Sequence, residues 1–382
     1  MIYNKELILF MPFIGGGGVE KNLFIIANHL SKKFDKIRIC TLSRDKIGKF
    51  NKKIQYLGPS KNFYEKLNIR LKYMISLMIL FKFLIKNRNS TVLSFQANIY
   101  CIVLCKFLNI KIIIRSNSSP SGWYHNTLKK IIYKYLISKA DCVIVNSLEF
   151  KTQMERKFNI KVNCIFNPLD LKNIKRQSYL GKPDPFFNRK KCLKLINLGR
   201  FTDQKNQITI LKACKILKDL VDFRLLIFGR GIEKDKMQKF IFDNNLQKYV
   251  KLRNFIENPY RIIRQSDIFV LSSKYEGLPN VLLEAASLKK IILSTKCPTG
   301  PKEILLNGKG GVFFKIGDHK ELARKIRYIN DNKEKMREKI NICFKNLNKY
   351  DYKKNLNKYQ KLINDIMQTN LNSKSFSKKY NV

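Results

Sequence analysis

Two carboxylates, Glu276 and Glu284, bracket the stretch EGLPNVLLE, which follows the apolar run SDIFVLSS at 266–273. Gly277 permits a tight turn, Pro279 suits a first helical position, and NVLLEAASL continues with helical spacing. A strand therefore hands over to a helix whose free N–H groups favour an anion. Carboxylates placed there accept hydrogen bonds from sugar or ribose hydroxyls, and Glu284 leans back toward the start of its helix. The plainer alternative is two acids complementing a helix dipole, at about 0.3 to 1 kcal/mol each.

A second group lies in LGRFTDQKN, residues 198–206, where Arg200 and Lys205 share a strand-end loop ahead of the helical segment QITILKACKILKD. Two cations on one loop suit an anion, and a fixed donor aimed at charge that builds during a reaction contributes about 3 to 4 kcal/mol. FIGGGGVEKN at 13–22 sets Gly16 and Gly17 between the first strand and first helix, where backbone can approach a bound group or simply turn. It is not a G-x-G-x-x-G with an acid about 20 residues on, so it does not read as a dinucleotide loop. IFGRG at 227–231 ends another strand, with Gly229 and Gly231 either making room for a nucleotide or reversing the chain.

No D-x-D occurs, and His29, His125 and His319 stand in unrelated contexts, so neither a metal cluster nor a Ser/His/Asp set can be assembled. His125, beyond the strand bearing Arg115 and Asn117, lines an acceptor side or simply sits on the surface.

These groups need a scaffold that delivers loops to one edge of a sheet. Apolar runs at 6–13, 36–42, 90–96, 111–117, 141–147 and 162–168 alternate with helical segments, and a second alternation runs through 192–200, 223–231, 248–255, 266–273, 290–297 and 311–314. Such βα alternation implies parallel sheets covered on both faces. The fold class is α/β, with two Rossmann-like parallel-sheet domains and a cleft between them. The boundaries are an N-terminal domain at 1–168, a Pro- and Gly-bearing linker at 169–190 and a C-terminal domain at 191–346. A C-terminal helix at 347–368 packs back toward the N-terminal domain, and a polar, flexible tail covers 369–382.

The 382 residues suffice for two cores, and 45% apolar content argues against a disordered basic chain. The 76 Lys and Arg against 28 Asp and Glu give a formal charge of +48, which attracts anions generally. A compositional drift toward Lys, Asn and Ile explains part of that charge equally well. Basic residues are spread over every segment without a nucleic-acid-binding motif, so no nucleic-acid partner is expected. Nine scattered cysteines with no C-x-x-C read as reduced residues of a cytosolic protein. The opening residues read as a strand running into glycines and not as a leader. The apolar stretch at 72–86 is interrupted by Lys82 and too short to span a bilayer. Residues 65–88, with Lys66, Arg70, Lys72, Lys82, Lys86 and Arg88, and residues 128–139 either cover a sheet or dock on an anionic membrane surface.

EGLPNVLLE, CPTGPKEIL (297–305) and GRFTDQKN resemble the E-x7-E and G-R-x4-K-N signatures of retaining, GT-B glycosyltransferases of family 4. The resemblance covers the second domain well, and the first by its architecture and glycine loop. It implies that Glu276 faces a donor sugar, that Glu284 binds the nucleotide ribose, and that Arg200 and Lys205 contact donor phosphates. Backbone at Gly277 and Leu278 would meet phosphate, with Gly16, Gly17 and Gly229 lining the donor. The implied reaction moves a hexose or N-acetylhexosamine from a UDP-linked donor to a hydroxyl of a glycan or lipid-linked acceptor in bacterial surface polysaccharide or lipopolysaccharide synthesis. No cofactor and no metal are expected, and the expected location is the cytoplasm, peripheral on the cytoplasmic face of the inner membrane. A nucleotide-sugar epimerase of the same architecture and a basic nucleic-acid-binding protein are the alternatives.

Overall fold

The computed structural model describes residues 5–60, 64, 67–117, 127–189 and 191–368. Lys66, His125 and the 369–382 tail lie outside the described residues. The chain divides into two compact units, one of Met1–Asn146, Lys151–Pro168 and Lys353–Val382, the other of Ser147–Phe150 and Leu169–Tyr352.

The first unit holds strands β1 (Glu6–Phe10), β2 (Ile37–Cys40), β3 (Gln55–Leu57), β4 (Ser90–Ser94), β5 (Lys111–Arg115), β6 (Cys142–Val145) and β7 (Asn163–Cys164). They form a seven-stranded sheet in the order β3-β2-β1-β4-β5-β6-β7, with every pairing parallel. All five residues of β1, ELILF, and of β4, STVLS, are buried, as a strand covered on both faces requires. Leu7 sits opposite Ile37 on one side and Thr91 on the other, so the sheet grows outward in both directions from β1 and β4. Crossovers run through α1 (Gly18–Leu30), α2 (Ile69–Lys86), α3 (Asn98–Phe107), α4 (Thr127–Ser138) and α5 (Leu148–Phe158), the last of which starts in the second unit.

The second unit repeats the arrangement with β8 (Leu193–Leu198), β9 (Phe223–Phe228), β10 (Val250–Arg253), β11 (Ile268–Leu271), β12 (Ile291–Thr295) and β13 (Val312–Phe314). Their order is β10-β9-β8-β11-β12-β13, again all parallel. Its helices are α6 (Leu171–Gln177), α7 (Gln207–Leu217), α8 (Lys234–Asp243), α9 (Tyr260–Gln265), α10 (Asn280–Ser287), α11 (Gly300–Ile304), α12 (His319–Asp331) and α13 (Lys333–Asn346). Leu195, Leu211, Phe223, Ile268 and Ile326 meet in one buried cluster, joining three strands to helices on the sheet. Two α/β doubly wound sheets of Rossmann type result, and each reverses its direction of growth at a single place, β1/β4 and β8/β11.

Four local features differ from the periodicity of the sequence. The 169–190 stretch contains α6, whose start Asp170 caps by accepting from Asn173 N at 2.9 Å. Seven residues are too few to show a helical period. The helical text of 318–346 is two helices, broken at Asn332. The run at 162–168 pairs over only two residues, and the three-residue β3 carried no apolar signal of its own.

After Tyr350 the chain enters α14 (Tyr352–Gln368), most of which belongs to the first unit. Tyr359 of α14 is fully buried and accepts from Arg115 Nε at 2.8 Å, while Lys111 Nζ donates to the Ile366 carbonyl at 2.6 Å.

Candidate active site

The loops after β8 and β11 leave the carboxyl ends of adjacent strands at the point where the second sheet reverses, which is where open parallel sheets bind ligands. The β8 loop carries Arg200 and Lys205, and the β11 loop carries Glu276, Gly277 and Leu278. Lys205 Nζ stands 2.5 Å from Glu276 Oε1, and Ser273 Oγ donates to the same oxygen at 2.6 Å. Glu276 is 6% exposed, so its charge is balanced by an ammonium group and a hydroxyl more than by water.

Hydrogen bonds tie the two loops together along their length. Lys274 N donates to the Gln204 carbonyl at 2.8 Å, Gln204 Nε2 to the Tyr275 carbonyl at 2.9 Å, and Ser272 Oγ to the Lys205 carbonyl at 2.8 Å. Gln207, at the start of α7, donates from Nε2 to the Arg200 carbonyl at 3.0 Å. Around this loop Asn197 Oδ1, Thr202 Oγ1 and Gln207 Oε1 are buried without a protein partner. Three orphaned polar atoms at one strand end are more than packing requires and suit a site that holds a polar ligand.

Gly229 lies closely against the backbone that follows β8. A Cβ there would lie 2.0 Å from the Gly199 carbonyl oxygen and 2.7 Å from the Phe201 ring. Gly231, at φ +149°, presses equally on the Phe201 backbone. Both glycines thus let the end of β9 come close enough to hold the backbone on either side of Arg200.

The Glu276 turn is held from the other side by the segment after β12. Thr299 Oγ1 donates to the Glu276 carbonyl at 2.5 Å, and Gly300 N donates to the Gly277 carbonyl at 2.7 Å. Thr299 is fully buried at φ +73°, a conformation that a β-branched residue adopts only under constraint. Nearby Cys297 has its thiol pushed up to about 12, first by burial and then by the Glu276 carboxylate, so it stays protonated and unreactive.

α10 begins directly after the Gly277-Leu278-Pro279 turn, with Pro279 at its N-cap. Leu278 is 5% exposed, and Glu284, 4% exposed, lies in the middle of the eight-residue helix. Arg200, Lys205, Glu276, Gly277 and Leu278 therefore belong to one end of one sheet, with Gly229 behind them and Glu284 farther along α10. Gly16 and Gly17 belong to the first unit, where Gly16 takes φ +83° and Gly17 precedes α1. Ser273 and Thr299 were not singled out in the sequence; the signals available were a hydroxyl three residues before Glu276 and the threonine of CPTGP. Among the described residues no group of His, Cys, Asp and Glu is arranged to hold a metal ion.

The profile of the glycosyl transferases group 1 family matches residues 183–342, nearly the whole second unit. An uncharacterized glycosyltransferase of Methanocaldococcus jannaschii is 35% identical over 206 residues, 52% of this chain and 51% of that relative, so the chain matches about half the relative's length. The Campylobacter jejuni N-acetylgalactosamine-N,N'-diacetylbacillosaminyl-diphospho-undecaprenol 4-alpha-N-acetylgalactosaminyltransferase is 26% identical over 360 residues, covering 88% of this chain and 95% of that one. The crystal structure of Anabaena HepE in complex with UDP-glucose superposes with a TM-score of 0.76 at 14% identity, over 94% of this chain and 99% of the other. That likeness speaks for the fold, while the profile match falls on the unit whose two reversing strands carry Arg200, Lys205 and Glu276. With two parallel α/β units and that sequence match together, residues 183–342 form a glycosyl transferases group 1 domain within a chain of GT-B fold.

Proposed function

We propose that the protein is a retaining glycosyltransferase moving a hexose or N-acetylhexosamine from a UDP-linked donor to a hydroxyl of a glycan or lipid-linked acceptor in bacterial surface polysaccharide or lipopolysaccharide synthesis. The observation that carries this reading is the meeting of Lys205 and Glu276 at the reversal point of the second sheet. A cation for a diphosphate and a carboxylate for hydroxyls lie within one hydrogen bond of each other, beside the start of α10.

Arg200 and Lys205 take the donor pyrophosphate, together with backbone N–H groups at Gly277, Leu278 and the start of α10. Phosphate then replaces Glu276 as the partner of Lys205, and the freed carboxylate accepts from the donor sugar's hydroxyls. Glu284 accepts from the ribose. In the transfer step the bond from the anomeric carbon to the phosphate oxygen breaks and the acceptor oxygen bonds to that carbon on the same face. The acceptor's proton passes to the departing phosphate oxygen, so no protein base is required. Charge growing on the leaving diphosphate is stabilised by the guanidinium and ammonium groups, which is the role a metal plays in other transferases, and we infer that transfer proceeds without one.

The test is thermal unfolding of the protein against a panel of UDP-, GDP-, ADP- and CMP-linked sugars. A true donor stabilises the folded state by mass action, so a UDP-sugar is expected to raise the midpoint in a concentration-dependent way, and Arg200→Ala to abolish the rise. Incubation of that donor with candidate acceptors, with the product anomer read by NMR, separates transfer from epimerisation, which would change the donor without acceptor. Absence of any shift across the panel overturns the reading.

A further inference from the structure

Helices of an α/β layer normally turn their apolar stripe to the sheet and a polar stripe to water. In the first unit three neighbouring helices carry a second apolar stripe on the side turned away. α2 buries Ser76, Leu80 and Leu84, one turn apart, and exposes Leu71, Met74, Met78 and Ile85 on the opposite face. α3 buries Cys101, Ile102 and Cys105 and exposes Tyr100, Val103 and Phe107, the last at 78%. α4 buries Ile137 and exposes Leu128, Ile131, Ile132 and Tyr135, spaced at three, four and seven residues along one face. α3 packs against both α2 and α4, so the three stripes adjoin. Isolated exposed apolar residues need no explanation, but three parallel rows of them do.

The charges on these helices identify the occupant. α2 contributes four Lys and Arg, α3 one and α4 three, while none of the three helices contains an Asp or Glu. A general drift of composition toward lysine does not remove carboxylates from one face selectively, and α12 of the second unit, HKELARKIRYIND, mixes both signs. A second copy of the chain meeting this face would set lysines against lysines. Apolar side chains flanked by cations with no anions fit the headgroup and acyl boundary of an anionic bilayer. We propose that the outer face of α2, α3 and α4 docks the protein on an anionic lipid surface. No helix among the described residues is long and apolar enough to cross a membrane, so attachment would be by this face alone. The inference does not depend on the transfer reaction.

Flotation of the full chain with vesicles tests it. Strong binding is expected to phosphatidylglycerol-containing vesicles and weak binding to pure phosphatidylcholine, with added salt weakening the former. The variant Phe107→Glu/Ile131→Glu is expected to bind anionic vesicles at least about tenfold less, at an unchanged unfolding midpoint. Leu220→Glu/Phe242→Glu, which makes the same charge change at exposed positions of the second unit, is expected to bind as the unaltered protein does. Equal weakening by both variants, or by neither, overturns the proposal. So does a concentration-dependent dimer in sedimentation velocity that the first variant abolishes, which would assign the face to a second copy. A photoactivatable anionic lipid, applied to the unaltered chain, is expected to label α3 and α4; labelling confined to other segments overturns the assignment without relying on any variant.

Discussion

Lys205 Nζ and Glu276 Oε1 lie 2.5 Å apart across two neighbouring strand ends, with 16% and 8% of their side chains exposed. Each group is the other's main compensation for lost water, so the pair holds the two loops together. Truncating one partner leaves the other partly buried and unpaired, at a cost of about 2 kcal/mol, below the 3 to 5 of a fully buried pair. Lys205→Ala and Glu276→Ala are each expected to lower stability by that amount, and the double variant by clearly less than their sum. Denaturant unfolding of the four proteins measures the coupling. In turnover, Glu276→Gln is expected to lose about 100-fold in kcat. A variant that folds and transfers sugar at full rate would remove Glu276 from the site.

Gly229 makes a prediction about the geometry behind Arg200. An added methyl would lie 2.0 Å from the Gly199 carbonyl, so the end of β8 must move for Gly229→Ala to fold. A destabilisation of about 2 kcal/mol is expected from this overpacking, with donor affinity falling because Arg200 shifts with the strand end. Gly48→Ala is the control: its Cβ meets nothing within 4 Å, and neither property is expected to change. Donor titration of the two variants by unfolding midpoint distinguishes them.

What could be read from the sequence depended on range. β8 and β11 announced themselves by apolar runs, and the residues just after them by charge and glycine, so Arg200, Lys205 and Glu276 stood out one by one. That Lys205 reaches Glu276 could not be read, because it depends on β8 lying next to β11 and not next to β12, a consequence of sheet order. The reason for Gly229 was hidden likewise, since its crowding comes from Gly199 on another strand. α6 gave no period in seven residues, and only Asp170 hinted at its start. The outward stripe of α2 was ambiguous: LKYMISLMILFKFLIK is apolar on both sides, and only the fold decides that Leu80 is covered and Met78 is not.

Arg115 is fully buried at the end of β5 and spends its donors on neutral acceptors: Tyr359 at 2.8 Å, Asn167 at 2.7 Å and Asn117. Its guanidinium also lies 5.8 Å from the centre of the Phe95 ring. One side chain thus joins β5 to α14, elements 244 residues apart in the chain. Arg115→Met fills similar space but removes the donors to Tyr359, Asn167 and Asn117, so a loss of about 3 kcal/mol is expected. Arg115→Lys, which reaches fewer partners, should fall between. Limited proteolysis is expected to cut the methionine variant within 353–368 before the unaltered protein is cut there; equal cleavage rates would show that Arg115 does not secure α14.

Lys290 supplies a pH dependence whose sign can be worked out. Burial, reinforced by the Arg264 charge and opposed by Asp267, pulls its ammonium group down from 10.5 to about 8. Its Nζ meanwhile donates to the Arg264 and Ser266 carbonyls at 2.7 and 2.8 Å. Below about pH 8 both folded and unfolded chains carry the proton, and the folded state bears the whole cost of the buried charge. Between that value and 10.5 the unfolded chain still holds a proton that the folded chain has released, so stability from this group rises with pH. Lys290→Met removes the titration while leaving the two carbonyls short of a donor, which offsets its absolute stability by a roughly constant amount. The stability of the unaltered protein minus that of the variant is therefore expected to be flat from pH 6 to 7.5 and to climb from pH 8 to 10. Urea unfolding of both proteins across that range reads the slope directly, and a difference that stays level to pH 10 would show that the Lys290 ammonium is not shifted by its surroundings.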